Sequence, residues 1–291
     1  MERIHATEPK RALAAALWAL AVSATIVAPA ASAETGDRLP DGQIARAAGE
    51  GPVEAWYGRP TERYRHGVLG DAVEGGSLVV FDARGTRYEV VLADDFVFED
   101  ITPRIADLDG DGSNEIVVIR ADIRAGAALA IYGLRDGRLA ELAASPPIGT
   151  ANRWLSVAAI ADFRGEGRNT IAVVKTPHIG GILELDRFAD GKLEVVRGPS
   201  PGYSTHRIGS RELTLAVAAD LDGDGRPELV LPDQSLRKIV ALDLSTGVAI
   251  GHEWPISERI VGRIAATATG TLLVPLESGR HATLRTRGLS P

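Results

Sequence analysis

The chain has 291 residues, of which 45% are hydrophobic and 24% charged, and its formal net charge is −7. This composition is ordinary for a soluble globular protein with enough apolar material for a full core. The negative balance argues against nucleic acid as a partner. Because the chain contains no cysteine, disulfides, thiolate metal sites and cysteine nucleophiles are excluded.

The first 33 residues have the pattern of a secretory signal peptide. Arg3, Lys10 and Arg11 precede an uncharged apolar run over residues 12–28, and Ala31-Ser32-Ala33 offers a small-residue cleavage site. An uncleaved anchor helix is the alternative, but the run is short for a bilayer span. We therefore expect cleavage after Ala33. The mature domain, residues 34–291, would then be periplasmic or secreted, with no transmembrane anchor.

The mature chain begins with a unit of short apolar runs, which predict strands. These runs are Val53 to Tyr57, Tyr64 to Leu69, Leu78 to Asp82 and Tyr88 to Leu92.

Three later segments, which start at Ile105, Ile160 and Ala218, align with one another, and each contains an aspartate followed by a glycine-containing turn. Their first aspartates are Asp107, Asp162 and Asp220, and a fainter copy without acidic residues starts at Ile264. Short apolar runs joined by Asp-Gly or Thr-Gly turns follow each aspartate, which predicts about four strands per unit. Such repetition is typical of propeller blades.

The expected fold is therefore an all-β propeller of about five four-stranded blades, with four or six as alternatives. The final unit is one strand short. We predict that the segment Gln43 to Ala47 supplies the missing strand and closes the ring, since closure removes exposed sheet edges.

Two of the aligned loops carry four carboxylates within nine residues, at positions 1, 3, 5 and 9. In the first loop these are Asp107, Asp109, Asp111 and Glu115, and in the second they are Asp220, Asp222, Asp224 and Glu228. Carboxylates so close together repel one another unless a cation lies among them. Calcium accepts six to eight oxygen ligands in flexible geometry, so the pattern predicts two Ca²⁺ sites.

Other interpretations of these loops fit less well. An EF-hand places a glutamate at position 12 between two helices, whereas Val118 and Leu231 occupy that position here, inside strand-like runs. Magnesium prefers fewer carboxylates and keeps its waters. A solvated acidic turn without metal is the remaining alternative.

The Asp-x-Asp-Gly-Asp-Gly-x-x-Glu runs, each followed by a strand, resemble the FG-GAP or VCBS repeats of integrin-alpha-type propellers. The resemblance covers residues 99–255 most strongly, and it implies calcium in the loop between the first two strands of a blade. It also implies a ligand at position 7, given by the backbone carbonyls of Ser113 and Arg226. Family members are mostly adhesion or recognition modules, and some are attached to enzymes.

The middle loop serves as an internal control. Asp162, Arg164, Glu166 and Thr170 occupy positions 1, 3, 5 and 9, so only two carboxylates remain. We predict no metal there, with an Arg–carboxylate pair in its place.

No sequence motif identifies a catalytic site, so we predict no catalytic residues and consider an enzyme the less favoured reading. The blade pattern places a basic and aromatic set of loop residues opposite the calcium loops, suited to an anionic or sugar-like ligand. Its members are Arg153, Trp154, Lys175, His178, His206, Arg207 and Arg211. Solvated arginines paired with neighbouring carboxylates are the alternative.

Three functions follow as hypotheses. The first is an exported calcium-binding propeller that binds a protein, a glycan or an anionic small molecule. The second is an enzyme acting on a carbohydrate or an anionic small molecule at the face opposite the loops. The third is a structural subunit of an envelope assembly.

Overall fold

The computed structural model describes residues 37–267 and 270–286. The predicted signal peptide lies outside these residues. The described part is all-β, with one short 3₁₀ helix, Gly67–Leu69. None of its helices is long and apolar enough to cross a membrane.

The strands follow one another along the chain with short connections. In chain order they are β1 (Ala45–Arg46), β2 (Pro52–Thr61), β3 (Glu74–Asp82), β4 (Arg87–Val91), β5 (Phe96–Phe98), β6 (Arg104–Ala106), β7 (Glu115–Asp122), β8 (Gly126–Arg135), β9 (Arg138–Ala144), β10 (Leu155–Ala161), β11 (Thr170–Lys175), β12 (Ile182–Ala189), β13 (Lys192–Ser200), β14 (Val217–Ala219), β15 (Glu228–Pro232), β16 (Lys238–Asp243), β17 (Ala249–Pro255), β18 (Ala265–Ala266), β19 (Thr271–Pro275) and β20 (His281–Arg285).

The strands form antiparallel meanders in which sequence neighbours pair. Strands β10 to β13 form one four-stranded sheet, β14 to β17 form another, and β18 to β20 form a three-stranded sheet. Strands β1 to β4 and β6 to β9 form two further meanders. The short strand β5 joins them into one nine-stranded sheet, because it pairs with both β3 and β7. This is the predicted succession of four-stranded units.

One predicted strand of the first unit is wrong. Residues 64–66 form no strand and residues 67–69 form the 3₁₀ helix. The apolar residues of this segment are buried without pairing, since Val68 and Leu69 pack in a core cluster with Trp154. Their spacing reflects burial in the core and not the alternation of a strand.

The predicted closing strand is also wrong. The segment Gln43 to Ala47 contains β1, which pairs with β2 through Ala45–Ala55 and Arg46–Glu54. Within the described residues, the last sheet holds only β18 to β20. A hairpin between adjacent strands closes a short loop at low entropic cost, and this explains why β1 completes the first unit.

The core lies between successive sheets. Along β7, Ile116 and Val118 pack in a cluster with the first unit, whereas Val117 and Ile119 pack in a cluster with the sheet of β10 to β13. Alternate residues of a strand point to opposite faces, so both faces of this unit are buried. This explains why the strands are continuous apolar runs in the sequence and do not alternate with polar residues.

Candidate functional site

The first acidic loop connects β6 to β7 and is built around its first aspartate. Asp107 Oδ1 accepts a hydrogen bond from the Gly110 amide at 2.7 Å, and its Oδ2 accepts one from the Gly112 amide at 3.0 Å. Both glycines have positive φ, 78° and 88°, a conformation that favours glycine. The position-2 residue, Leu108, is fully buried and anchors the loop in the core.

Three of the predicted carboxylates converge in this loop. Oxygens of Asp107, Asp109 and Glu115 all lie within 4.8 Å of one another. Burial raises the pKa of Glu115 to about 7, with further contributions from the neighbouring aspartates. Both causes disfavour the charged form of Glu115, and a cation bound among these oxygens would oppose them.

The second loop, between β14 and β15, repeats the arrangement. Asp220 accepts hydrogen bonds from the amides of Gly223 (2.7 Å) and Gly225 (3.1 Å), and oxygens of Asp220, Asp222 and Glu228 converge within 4.8 Å. Burial raises the pKa of Glu228 to about 7. Two loops far apart in sequence thus place the same three acids together.

The carboxylates at position 5 do not join these clusters. Asp111 accepts a hydrogen bond from the Ser113 amide and Asp224 accepts one from the Arg226 amide, both at 2.8 Å. The side chain of Arg226 also forms an ion pair with Asp224. The remaining donor set consists of carboxylate oxygens and fits a hard cation such as calcium.

The middle loop keeps the turn and loses the acidic cluster. Asp162 accepts hydrogen bonds from the amides of Glu166 (2.9 Å) and Gly167 (2.7 Å). The Arg164 Nε lies 2.7 Å from Glu166 Oε1, which confirms the predicted Arg–carboxylate pair. Thr170, in the place of the glutamate, donates its hydroxyl to the Ala161 carbonyl.

Sequence reasoning missed a brace between neighbouring units. The Asn114 side-chain amide donates to the carbonyls of Ala48 and Pro52, both at 3.0 Å, and the Asn169 amide donates to the Asp107 carbonyl at 2.8 Å. Both asparagines occupy position 8 of their loop. Each therefore ties its loop to the corresponding connection of the preceding unit, and asparagine recurring at this position was the available signal.

At the opposite ends of the strands, three residues of the predicted ligand face form an aromatic cluster. Trp154, His178 and His206 are in mutual ring contact, with centroid distances of 6.0 Å (Trp154–His178), 5.1 Å (Trp154–His206) and 4.9 Å (His178–His206). His178 Nε2 lies 2.7 Å from His206 Nδ1, and His206 Nε2 lies 2.6 Å from the Ser210 carbonyl oxygen. The three residues come from three different connections between strands.

A second pair, His66 and Glu99, completes this cluster and was not among the predicted ligand residues. His66 Nδ1 contacts Glu99 Oε1, and the Trp154 indole N–H donates to the Glu99 carbonyl at 2.9 Å. Glu99 is fully buried. Burial raises the pKa of Glu99 well above its ordinary value and lowers the pKa of His66. The sequence contains no signal for this contact, because the two residues are far apart in the chain and match no motif.

Two cavities open beside these imidazoles. The first, of about 340 Å³, is lined by residues that include His66, Arg153 and Trp154. The second, of about 350 Å³, is lined by residues that include His206 and Arg207. Both are also lined by Pro177, His178 and Ile208.

Two of the four predicted cations of this face are neutralised. Lys175 pairs with Glu184 at 2.5 Å, and Arg211 pairs with both Asp41 and Asp71. Within the described residues, Arg153 and Arg207 have no carboxylate within ion-pair distance. The face is therefore less basic than the sequence suggested.

Comparisons with known proteins concern the fold alone. No family model matches the chain, and no curated protein matches it. Among solved structures, the chain is similar to a Bacillus licheniformis rhamnogalacturonan lyase, with a TM-score of 0.51, 14% identity, and coverage of 87% of this chain and 52% of that one. The exotype rhamnogalacturonan lyase YesX matches at a TM-score of 0.48 and 16% identity over 86% of this chain and 58% of its own.

The Dos1 propeller is a more distant match, with a TM-score of 0.46 and 8% identity over 84% of this chain and 56% of its own. The chain thus spans only a little over half the length of these structures.

Proposed function

We propose that this protein is an exported, calcium-stabilised β-propeller of five blades, of the FG-GAP/VCBS type, that acts as a binding module. The observation that carries the proposal is the recurrence of one three-carboxylate cluster in two loops at corresponding blade positions. Repulsion among these acids destabilises the folded chain without a cation, and calcium binding removes that cost.

The ligand surface of the module is the face with the two cavities, at the other ends of the strands from the acidic loops. Its cavities fall in the size range of small-ligand sites, and they combine apolar walls with a few polar groups. Calcium has a structural role in this scheme, since both acidic loops lie away from the cavities along each strand.

An enzyme acting on a carbohydrate is the second candidate. The specific observation in its favour is the contact of His66 with the buried carboxyl of Glu99 at the edge of a cavity, because a carboxyl group behind an imidazole can orient it for proton transfer. The fold similarity to rhamnogalacturonan lyases supports neither activity nor substrate for this chain.

The deciding experiment is a calcium titration of the purified protein by calorimetry, with melting curves in calcium and in chelator. We expect two ions per chain and a lower melting temperature in chelator. An absence of calcium binding would leave the two loops as acidic turns and would remove the basis of the proposal.

A further inference from the structure

The hydrogen-bond chain that starts at Ser210 fixes the protons of two imidazoles. A carbonyl oxygen only accepts, so His206 Nε2, 2.6 Å from the Ser210 carbonyl, must carry a proton. Burial lowers the pKa of His206, so this ring is neutral and its Nδ1 has a free lone pair. That lone pair accepts the proton of His178 Nε2 across 2.7 Å.

By the same reasoning, one ring nitrogen of His178 is free to accept a hydrogen bond. Burial, with help from the other two imidazoles, lowers the pKa of His178 to about 4, so the ring is neutral near pH 7. Its proton is on Nε2, and Nδ1 therefore has the lone pair. No described residue forms a hydrogen bond to this atom, and His178 lines both cavities.

The His66–Glu99 pair provides a hydrogen-bond donor instead of an acceptor. Burial raises the pKa of Glu99 and so favours its neutral carboxyl group, which in this form donates its proton to His66 Nδ1 across their contact. The remaining ring proton of His66 is then on Nε2. His66 lines the first cavity together with His178, so this cavity offers one N–H donor and one nitrogen acceptor.

We propose that the two cavities form one groove for a sugar chain, in which His66 and His178 hold a ring hydroxyl by donating to it and accepting from it. A hydroxyl group has one donor and two acceptor positions, which matches this pair. The inference deepens the proposed binding function and rests on the same face.

The other properties of the groove fit a sugar chain, including one that carries carboxylates. Lys175 and Arg211 are neutralised by carboxylates and line neither cavity. Arg153 lines the first cavity and Arg207 the second, and both suit the carboxylate of a uronate unit.

The exposed rim residues Ile179 and Ile208, 64% and 65% exposed, offer apolar contacts for the C–H face of a sugar ring. Ile208 lines both cavities, each of about 340–350 Å³, so we expect the ligand that fills both to have at least two sugar units.

The first test needs no ligand. Long-range ¹H–¹⁵N spectra of the histidine rings in the free protein at pH 7 report which nitrogen carries the proton. We expect the Nε2–H tautomer for His66, His178 and His206. A proton on Nδ1 of His178, or on Nδ1 of His66 with Nε2 bare, would overturn the donor–acceptor assignment.

The second test uses an array of neutral and uronate-containing oligosaccharides of one to four units, followed by calorimetry with the sugars that bind. We expect oligosaccharides to bind more tightly than their monosaccharides. The substitution His178→Phe, which keeps the ring and removes the acceptor, should weaken binding about tenfold or more. The matched substitution His281→Phe, on exposed β20, should leave binding unchanged.

Ile208→Asp provides a second variant that does not depend on core packing, since Ile208 is exposed. It should also weaken binding of the longer sugars. No binding of any sugar on the array, or equal binding by wild type and both groove variants, would overturn the inference. Because the calcium titration is a separate measurement on the same samples, failure here and failure of the proposed scaffold role can be told apart.

Discussion

The loop Asp107–Glu115 and the loop Asp162–Thr170 share a backbone turn but differ in charge. In both, the first aspartate accepts a hydrogen bond from the amide at position 6, at 3.0 Å and 2.7 Å. In both, the residue at position 2, Leu108 or Phe163, is buried. Only the first loop gathers three carboxylates, whereas the second pairs its arginine with its glutamate.

The comparison separates the fold of the loop from its chemistry. The turn depends on the first aspartate, the glycine at position 6 and an apolar anchor, and it forms in either charge pattern. The proposed metal binding instead depends on the side chains at positions 3 and 9, which differ between the loops. The turn by itself therefore says nothing about calcium, and the acidic cluster is what supports the metal proposal.

The largest expected effect is on the shared anchor. Phe163→Ala should lower the free energy of unfolding by about 3–5 kcal/mol, because a large buried side chain leaves a cavity. Leu108→Ala should cost about 2–5 kcal/mol for the same reason. Denaturant unfolding in chelator measures both. If either substitution were neutral, the apolar anchoring of the loops would be wrong.

Removing one acid from each acidic loop should abolish the calcium effect. In wild type, calcium at 100 times the dissociation constant should add about 2.7 kcal/mol per site to the free energy of unfolding. Asp109→Asn combined with Asp222→Asn should lose most of this gain, as judged by melting curves with and without calcium. Asp190→Asn, at an exposed hairpin turn, is the matched control and should keep the full gain.

The middle loop should become a metal site when its acids are restored. We expect Arg164→Asp combined with Thr170→Glu to raise the calorimetric stoichiometry from two calcium ions to three, because positions 1, 3, 5 and 9 are then all acidic. Arg164→Asp alone should leave the stoichiometry at two. A double variant that folds and still binds two ions would show that the charge pattern is insufficient.

The smallest expected effect concerns the brace between the middle loop and the first acidic loop, which is the hydrogen bond from Asn169 to Asp107. Asn169→Ala removes the hydrogen bond to the Asp107 carbonyl and should cost about 1 kcal/mol. It should also weaken calcium binding at the first loop a few-fold while leaving the second loop unchanged, which calorimetry on a variant with one site removed can resolve. Equal weakening of both sites would mean that the brace acts on overall stability and not on its own loop.

Much of the fold was predictable because its signals are local. Short apolar runs between Asp-Gly and Thr-Gly turns identify hairpins without reference to distant residues. The two wrong predictions depended on tertiary packing. The apolar residues Tyr64, Val68 and Leu69 pack in the core without forming a strand. The segment from Gln43 to Ala47 had two possible partners, of which the adjacent β2 pairs with it.

The candidate sites divide in the same way. The acidic loops are contiguous, so the sequence shows their carboxylates side by side and needs the structure only to exclude Asp111 and Asp224 from the clusters. For the cavity face, the sequence predicted only that Trp154, His178 and His206 lie on the same side of the fold. Its distances, its neutralised cations and its His66–Glu99 pair depend on residues from separate connections.

The sequence by itself determined the repeated units, the turns and the charge pattern of the three loops, because each of these is a property of residues a few positions apart. Only the tertiary structure decided which strand β1 joins, which cations are paired and which imidazoles meet beside the cavities. Those outcomes depend on which segments the packing of successive sheets brings together, and side chains that meet in this way have no fixed spacing in the sequence.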